Sequence, residues 1–344
     1  MATLTDYETD IDAGREEEFG WSRSDFLPRS FSPGFYERVS EIIESSRPDI
    51  ELFSETLSRA LGFPKDQSLT GPFCSFEDFC KLLGLLSMDD EGTGFAERAF
   101  GELLSYKGVA DFISRTPRVW GPLSAEIAAS GKVWGLQQIY SKCRVDVKKL
   151  DGRHFGKPPL YAAAEHKDLE MIRHLVGQLG CMPDAVNDKN GDRALTRALR
   201  TDGSLEGDYR ILEYMLSKGA DPNVQGAHLQ TPLILAVKRG SRRMVDLLTE
   251  WGGADSVNIT DDTGKTPLHY AAELGAAPLF APLILAGADI HAEDKTGRTP
   301  KDYAEGSRCL KELRETEMRV REGLVALHTS LAEDTEIYAR DGRD

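Results

Sequence analysis

Cysteine is scarce in this chain: five in 344 residues, an odd number and too few to staple a fold with disulfides. Positive charge is short as well. Lys and Arg total 42 against 57 Asp and Glu, a formal net charge of −15. Such a balance lacks the basic surface that phosphate-backbone binding requires, so no nucleic-acid partner is expected. No apolar run reaches the ~18 residues of a membrane span. The opening residues, MATLTDYETDIDAGREEE, are acidic where a secretory signal is basic and then apolar. The expectation is a soluble protein of the cytoplasm or nucleus, without membrane contact. His154, His166, His174, His228, His269, His291 and His328 form no H-E-x-x-H and no metal spacing with cysteine. No metal, cofactor or catalytic group is expected from them. A nucleophile such as Cys74 would need a histidine delivered by folding.

What is present is enough apolar material for a core, 40% of residues. It is unevenly spread. Residues 1–20 carry seven acidic side chains against Arg15 alone, and like charges at that density cannot repay ordering entropy. Residues 1–30 therefore read as an acidic, disordered tail. From Ser32-Pro33 the pattern turns helical, with Phe35, Val39, Ile42 and Ile43 at helical spacing. A second helix is expected from Pro48, carrying Ile50, Phe53, Leu57 and Leu61 and stopped by Gly62. A capping phrase at Ser75–Asp78 precedes Phe79, Leu82, Leu83 and Leu86, and a fourth helix is expected from Thr93 to about Leu104. Residues 31–116 are thus a helical N-terminal region that matches no family.

The middle of the chain repeats itself. Thr266-Pro-Leu-His-Tyr-Ala-Ala272 is echoed by Thr231-Pro-Leu-Ile-Leu-Ala236, by Pro158-Pro-Leu-Tyr-Ala-Ala163 and by Thr299-Pro300. The positions Pro159, Ala194, Pro232, Pro267 and Pro300 are spaced 35, 38, 35 and 33 apart. Second halves agree in Lys218-Gly-Ala-Asp-Pro-Asn223, Gly253-Ala-Asp255 and Ala286-Gly-Ala-Asp-Ile290. A period near ~33 with the phrase T-P-L-H-x-A-A resembles the ankyrin repeat. The resemblance implies an all-α fold, an ankyrin-repeat α-solenoid of helix-turn-helix units with short β-hairpin loops. Five to six units are expected over residues 117–310, the first and last degenerate, with a capping helix and frayed tail over 311–344. Proline opens each first helix where no internal N–H partner exists anyway. Gly240 and Gly275 should end first helices and Gly219 and Gly287 second ones, in the left-handed conformation.

Departures from the pattern stand out. The third unit has Arg-Ala-Leu for Thr-Pro-Leu and extra residues from Thr201 to Asp208, expected to loop between its helices. The second has Lys167 where the helix-ending glycine belongs. Several motifs that imitate chemistry are absorbed by the repeat. Gly264-Lys265-Thr266 is a hairpin tip and not a phosphate loop. Asn258 occupies a position where the repeat favours Asn, and Lys238, Arg239, Arg242 and Arg243 read as a solvated helix face.

Ankyrin arrays bind partners with hairpin tips and first-helix surfaces. Carried over residue by residue, the resemblance implies a concave binding face. Its members are His154, Phe155, Lys157, His166, Lys189, Asn190, Arg200, His228, Gln230, Lys238, Arg239, Lys265, Lys295 and Arg298. Eight basic residues on this face (with Lys157, Lys189, Arg200 and Arg239 among them) meet five acidic ones, Glu165, Asp192, Asp262, Glu273 and Glu293. A local excess of positive charge on an acidic chain favours an acidic partner segment. The acidic residues 6–18 are a candidate internal ligand for it. The expected function is a protein-interaction scaffold or adaptor without a cofactor, with affinity concentrated in residues such as Phe155, Arg200 and Arg239. The alternatives are an enzyme or enzyme subunit with a pocket between the N-terminal helical region and the first repeats, and a substrate-recruiting adaptor of a larger complex.

Overall fold

The computed structural model describes residues 31–45, 49–67, 82, 94–115, 117–143, 145, 157–186, 191–304 and 307–322. The acidic tail, the capping phrase at Ser75–Asp78 and Leu324–Leu331 lie outside these. Contacts divide the chain into two compact units, one of residues up to Val119 with Gln137–Val145, the other of Trp120–Leu136 and the residues from Asp146 onward.

The first unit is built from short amphipathic helices. Helix α1, Pro33–Ile43, buries Phe35, Val39 and Ile42. Helix α2, Ile50–Leu61, buries Phe53, Leu57 and Leu61 and ends on Gly62 at φ 68°. It opens two residues later than Pro48, because the Asp49 carboxylate accepts the free amides of Glu51 and Leu52. Helix α3, Phe95–Ser105, crosses the Phe53 ring with Phe95, edge to face at 5.9 Å. Helix α4 is Lys107–Arg115. Under α3, Glu102 accepts from Ser54 Oγ at 2.5 Å and from Lys65. An open depression beside this pair is lined by Glu51, Ser58, Arg59 and Tyr106. Gly101 is glycine for a steric reason, since a Cβ there would lie 2.8 Å from Gln138 Oε1. Helices α5, Pro117–Ala129, and α6, Val133–Cys143, follow, and the division of contacts runs through both.

The second unit stacks helical pairs. First helices are α7 (Pro159–Glu165), α9 (Ala194–Arg200), α11 (Pro232–Lys238), α13 (Pro267–Glu273) and α15 (Pro300–Tyr303). Second helices are α8 (Leu169–Arg173, running on as a π turn to Gln178), α10 (Leu205–Ser217), α12 (Arg242–Ser256, interrupted at Gly253), α14 (Phe280–Leu285) and α16 (Ser307–Arg321). Each first helix packs on the next first helix and each second helix on the next second. Leu160, Leu195, Leu233 and Leu268, one per unit at the same station, are all buried, as are Met244, Val245 and Leu248 of α12. Leu247 is only half-buried. No unit could bury this layer alone, so the array is stabilised by its neighbours. Gly219, Gly240, Gly275 and Gly287 all stand at φ between 64° and 98° as the repeat requires.

Two expectations change. No β-strand occurs among the described residues. The hairpins are tight turns closed by backbone bonds such as Asp261 N–H to Lys265 O at 3.1 Å and Asp294 N–H to Arg298 O at 2.9 Å, with one isolated bridge, among the described residues, between Val186 and Arg193. The insertion in the third unit is not a loop as far as Asp208. Ser204 Oγ accepts Gly207 N–H at 3.0 Å, which caps α10 and starts it at Leu205. Asp208 therefore lies in the first helical turn, where an acid suits the helix dipole.

That placement creates the central electrostatic contact of the array. Asp208 is fully buried, and Lys167 Nζ of the second unit reaches its Oδ1 at 2.5 Å. Arg239 Nη2 of the fourth unit donates to its Oδ2 at 2.8 Å and to Gly203 O at 2.5 Å. Lys167 makes this reach from a left-handed backbone at φ 56°, a strained position for a side-chain-bearing residue. A Cβ at Gly203 would collide with the lysine at 2.5 Å. One carboxylate thus joins three successive units. Removing it strands two partly buried cations, which costs about 3 kcal/mol. We expect Asp208→Ala to lower unfolding free energy by that order in urea titrations monitored by circular dichroism, and an unchanged midpoint would refute the bridge.

Candidate partner-binding face

The expected binding face consists of hairpin tips and the exposed sides of α7, α9, α11, α13 and α15. Of its candidate residues, His154, Phe155, Lys189 and Asn190 lie outside the described residues. Most of the remaining cations have internal partners. Lys157 and Arg197 both hold Glu165, the latter at 2.5 Å. Arg200 donates to the buried Asp192 and to Ala227 O, both at 2.9 Å. Arg239 is taken up by Asp208. Arg200 and Arg239, expected to lead partner contact, are half-buried posts between units, because buried carboxylates claim their guanidinium donors.

Toward the C-terminal units rings and carbonyls join carboxylates as partners. Exposed Lys238 stands over the Tyr270 ring with Nζ 4.6 Å from its centroid. Lys265 pairs with Glu273 at 2.8 Å and lies 4.3 Å from the Tyr303 centroid. Arg298 stacks over Tyr303 at 4.4 Å, while its Nε is 4.0 Å from Asp294. Lys295 Nζ donates to Asp262 O at 2.6 Å. The two tyrosines are held upright from below, since Tyr270 donates to Asp261 and Tyr303 to Asp294, each at 2.5 Å. Each Asp–Tyr pair is nine residues apart and follows the same phrase, D-x-x-G-x-T-P, so the pairs could have been read by phasing the repeats. Asp208 could not, because its burial depends on where α10 starts.

The remaining candidates divide. His166 is exposed at the end of α7. His228 is exposed at the tip of the fourth unit, with Nδ1 3.1 Å from Asp262 Oδ2. Its backbone and that of Leu229 are left-handed, at φ 59° and 54°. Gln230 is buried and closes that tip through its carbonyl, which accepts Gly226 N–H.

Electrostatics follow from these contacts. Burial raises the carboxylic-acid pKa of Glu165, Asp261 and Asp294, but the donors converging on each more than offset it, so all three end below the usual range. Burial is also the main cause that lowers His269, helped by the charge of Lys265, against the opposing pull of Arg298 O and Asp294. Neutral His269 accepts Thr266 N–H on Nδ1 at 3.1 Å and donates from Nε2 to Arg298 O at 3.1 Å, linking the fifth and sixth hairpins. Burial pushes the Cys143 thiol up to about 12, far from a reactive thiolate. Among the described residues no group of three or more His, Cys, Asp or Glu could hold a metal ion, and no helix is long and apolar enough to cross a membrane.

The geometry of paired helices at a period near 33, with Thr-Pro entries and left-handed glycine exits, is matched by a family model. Its description is "Ankyrin repeats (3 copies)", and it aligns with residues 125–226 and again with 204–294. Residues 125–294 are ankyrin repeats. A stretch of 154 residues is 30% identical to Transient receptor potential cation channel subfamily A member 1 of Drosophila melanogaster, covering 42% of this chain and 12% of that protein. Ninety-eight residues (28% of this chain) are 33% identical to Ankyrin repeat, SAM and basic leucine zipper domain-containing protein 1 of Dasypus novemcinctus, covering 20% of it. A further match, 31% over 99 residues, is to Inactive serine/threonine-protein kinase TEX14 of Bos taurus, covering 29% of this chain and 6% of that protein. The chain spans a fifth or less of each of these proteins. Ankyrin repeats are protein-interaction modules, generally non-catalytic, and residues 125–294 of this chain are such repeats.

Acid should weaken the ankyrin array in two stages. The folded pKa of His269 lies below its unfolded value near 6.5. The unfolded chain therefore binds protons first, and stability falls as pH drops from 7 toward 5. The depressed carboxylates add a second loss below about pH 4. Urea midpoints across this range should show both, and His269→Gln should flatten the upper stage only; an unaltered upper slope would contradict the assignment.

Proposed function

We propose that the chain is a non-enzymatic scaffold or adaptor that receives an acidic segment of a partner protein on its concave ankyrin face. The observation that supports this most is the kind of partner each cation has. Lys238 and Lys295 are exposed and held by a ring face and a carbonyl, groups that position an ammonium without neutralising it. Arg298, also exposed, is stacked on Tyr303 and only grazes a carboxylate. Cations preorganised in this way need little further ordering when a carboxylate-bearing segment arrives. Contact is thereby assigned to the fourth to sixth units, where exposed Leu274 adds an apolar anchor beside them. Lys157, Arg197, Arg200 and Arg239, each paired with a carboxylate, keep the face in shape. Residues 6–18 supply an internal competitor of the same chemistry.

The test is fluorescence anisotropy with a labelled Asp/Glu-rich peptide. Lys238→Glu with Arg298→Glu should weaken binding about tenfold or more and flatten its salt dependence. Deleting residues 1–20 should raise affinity. Equal affinity of the charge-reversed variant would overturn the acidic reading; unchanged binding after the deletion, at low salt, would remove the internal competitor alone.

A further inference from the structure

The phase of the repeat explains why rings and not carboxylates lie under Lys238 and Arg298. The first helices open at Pro159, Ala194, Pro232, Pro267 and Pro300. The positions two before and six after that residue form an ion pair in three units. These are Lys157 with Glu165, Asp192 with Arg200 (the charges reversed) at 2.9 Å, and Lys265 with Glu273 at 2.8 Å. In the fourth unit the same two positions hold Gln230 and Lys238, and in the sixth Arg298 and Gly306. One member of each lacks a charge, so one cation per unit is left over. Lys238 crosses to the Tyr270 ring of the fifth unit, and Arg298 settles on Tyr303 of its own, 4.0 Å from Asp294. Between them stands Lys265, whose Nζ is 5.2 Å from the Tyr270 centroid and 4.3 Å from that of Tyr303, already taken by Glu273.

Tyr270 and Tyr303 both stand three residues after the opening proline, on α13 and α15, which pack together. Neighbouring helix axes are about 8–10 Å apart, so the cations seated on these rings are set one unit apart. Two carboxylates of a partner must match that step. On a polyproline II segment, residues three apart lie on one side at about 9 Å. In a β-strand, residues two apart share a side at only about 7 Å, and residues three apart lie on opposite sides. An α-helix covers the step in about seven residues, but it lays its third and fourth residues over the closed Lys265–Glu273 pair. The intervening polyproline residues turn aside. We propose that the acidic segment binds as a polyproline II helix with carboxylates three residues apart, one on Lys238 and one on Arg298, and that this spacing selects it. The inference specifies the ligand of the face assigned above and rests on that reading. The acids of residues 6–18 (Asp6, Glu8, Asp10, Asp12, Glu16, Glu17 and Glu18) include no two that are three apart, so a matched partner should outcompete them.

The probes are labelled peptides with two glutamates each, read by anisotropy against the full chain. The glutamates are three apart in a proline-rich sequence, two apart in the same composition, or seven apart in an alanine-rich helix. The three-apart peptide should bind about tenfold tighter than either of the others. Lys238→Met or Arg298→Met should erase that preference; both side chains are exposed, so urea midpoints should stay at the wild-type value. Glu273→Gln, which releases Lys265 between the two, should strengthen the two-apart peptide several-fold and narrow the gap. Equal affinity of the three peptides, tightest binding by the helical one, or a gap unchanged in Glu273→Gln would overturn the spacing and leave the acidic reading in place. Binding of none of them would overturn it too, and with it the acidic reading if the Asp/Glu-rich peptide also fails.

Discussion

The carboxylate of Asp208 is the point on which the repeat array turns. A buried charge is tolerable only when well-placed opposite charges meet it, and here they come from the units on either side, Lys167 and Arg239. The arrangement explains two irregularities at once. Lys167 occupies a glycine position in the left-handed region because its ammonium must cross Gly203 to reach the carboxylate. The third unit is longer than its neighbours because the extra residues carry the start of α10 and its acid into that gap. Asp192 repeats the device on a smaller scale, accepting from Arg200 and from Ala227 N–H of the next unit. Gly226 leaves room for it, since a Cβ there would lie 2.4 Å from the Asp192 oxygen.

These contacts change the meaning of a charge count. A tally of basic against acidic residues on the concave side gives an excess of cations, but Glu165, Asp192 and Asp208 pair with several of them and draw that charge inward. What distinguishes the cations is their company. Lys157, Arg197, Arg200 and Arg239 of the earlier units face carboxylates and serve the stack; of the later ones Lys265 also pairs with Glu273, whereas Lys238, Lys295 and Arg298 are held mainly by a tyrosine ring or a carbonyl. On the proposed reading, recognition and cohesion are divided along the array.

Much of the fold was legible beforehand, and for identifiable reasons. Repetition of a phrase at a fixed period reports a structural unit whatever its surroundings, so the Thr-Pro entries, the glycine exits and the buried leucines fell where the period put them. Helices α1 and α2 were readable because Phe35, Val39 and Ile42, and Phe53, Leu57 and Leu61, mark one face each. The site was less legible. The resemblance puts Arg200 and Arg239 among the concave-face candidates, but does not show that the buried Asp192 and Asp208 take up their guanidinium groups. The Asn258 position was read correctly for the same reason as the glycines: its side chain donates to Gly287 O and accepts Asp289 N–H, a link between units.

If one carboxylate joins three units, weakening it should loosen all three together. Native-state amide hydrogen exchange on the full chain, wild type against Asp208→Asn, measures this directly. The account predicts that protection falls in α7 and α8 and in α11 and α12 as well as in α10, with the hairpin of the sixth unit unaffected. Loss of protection confined to residues 205–217 would show that the units stand independently and would contradict it.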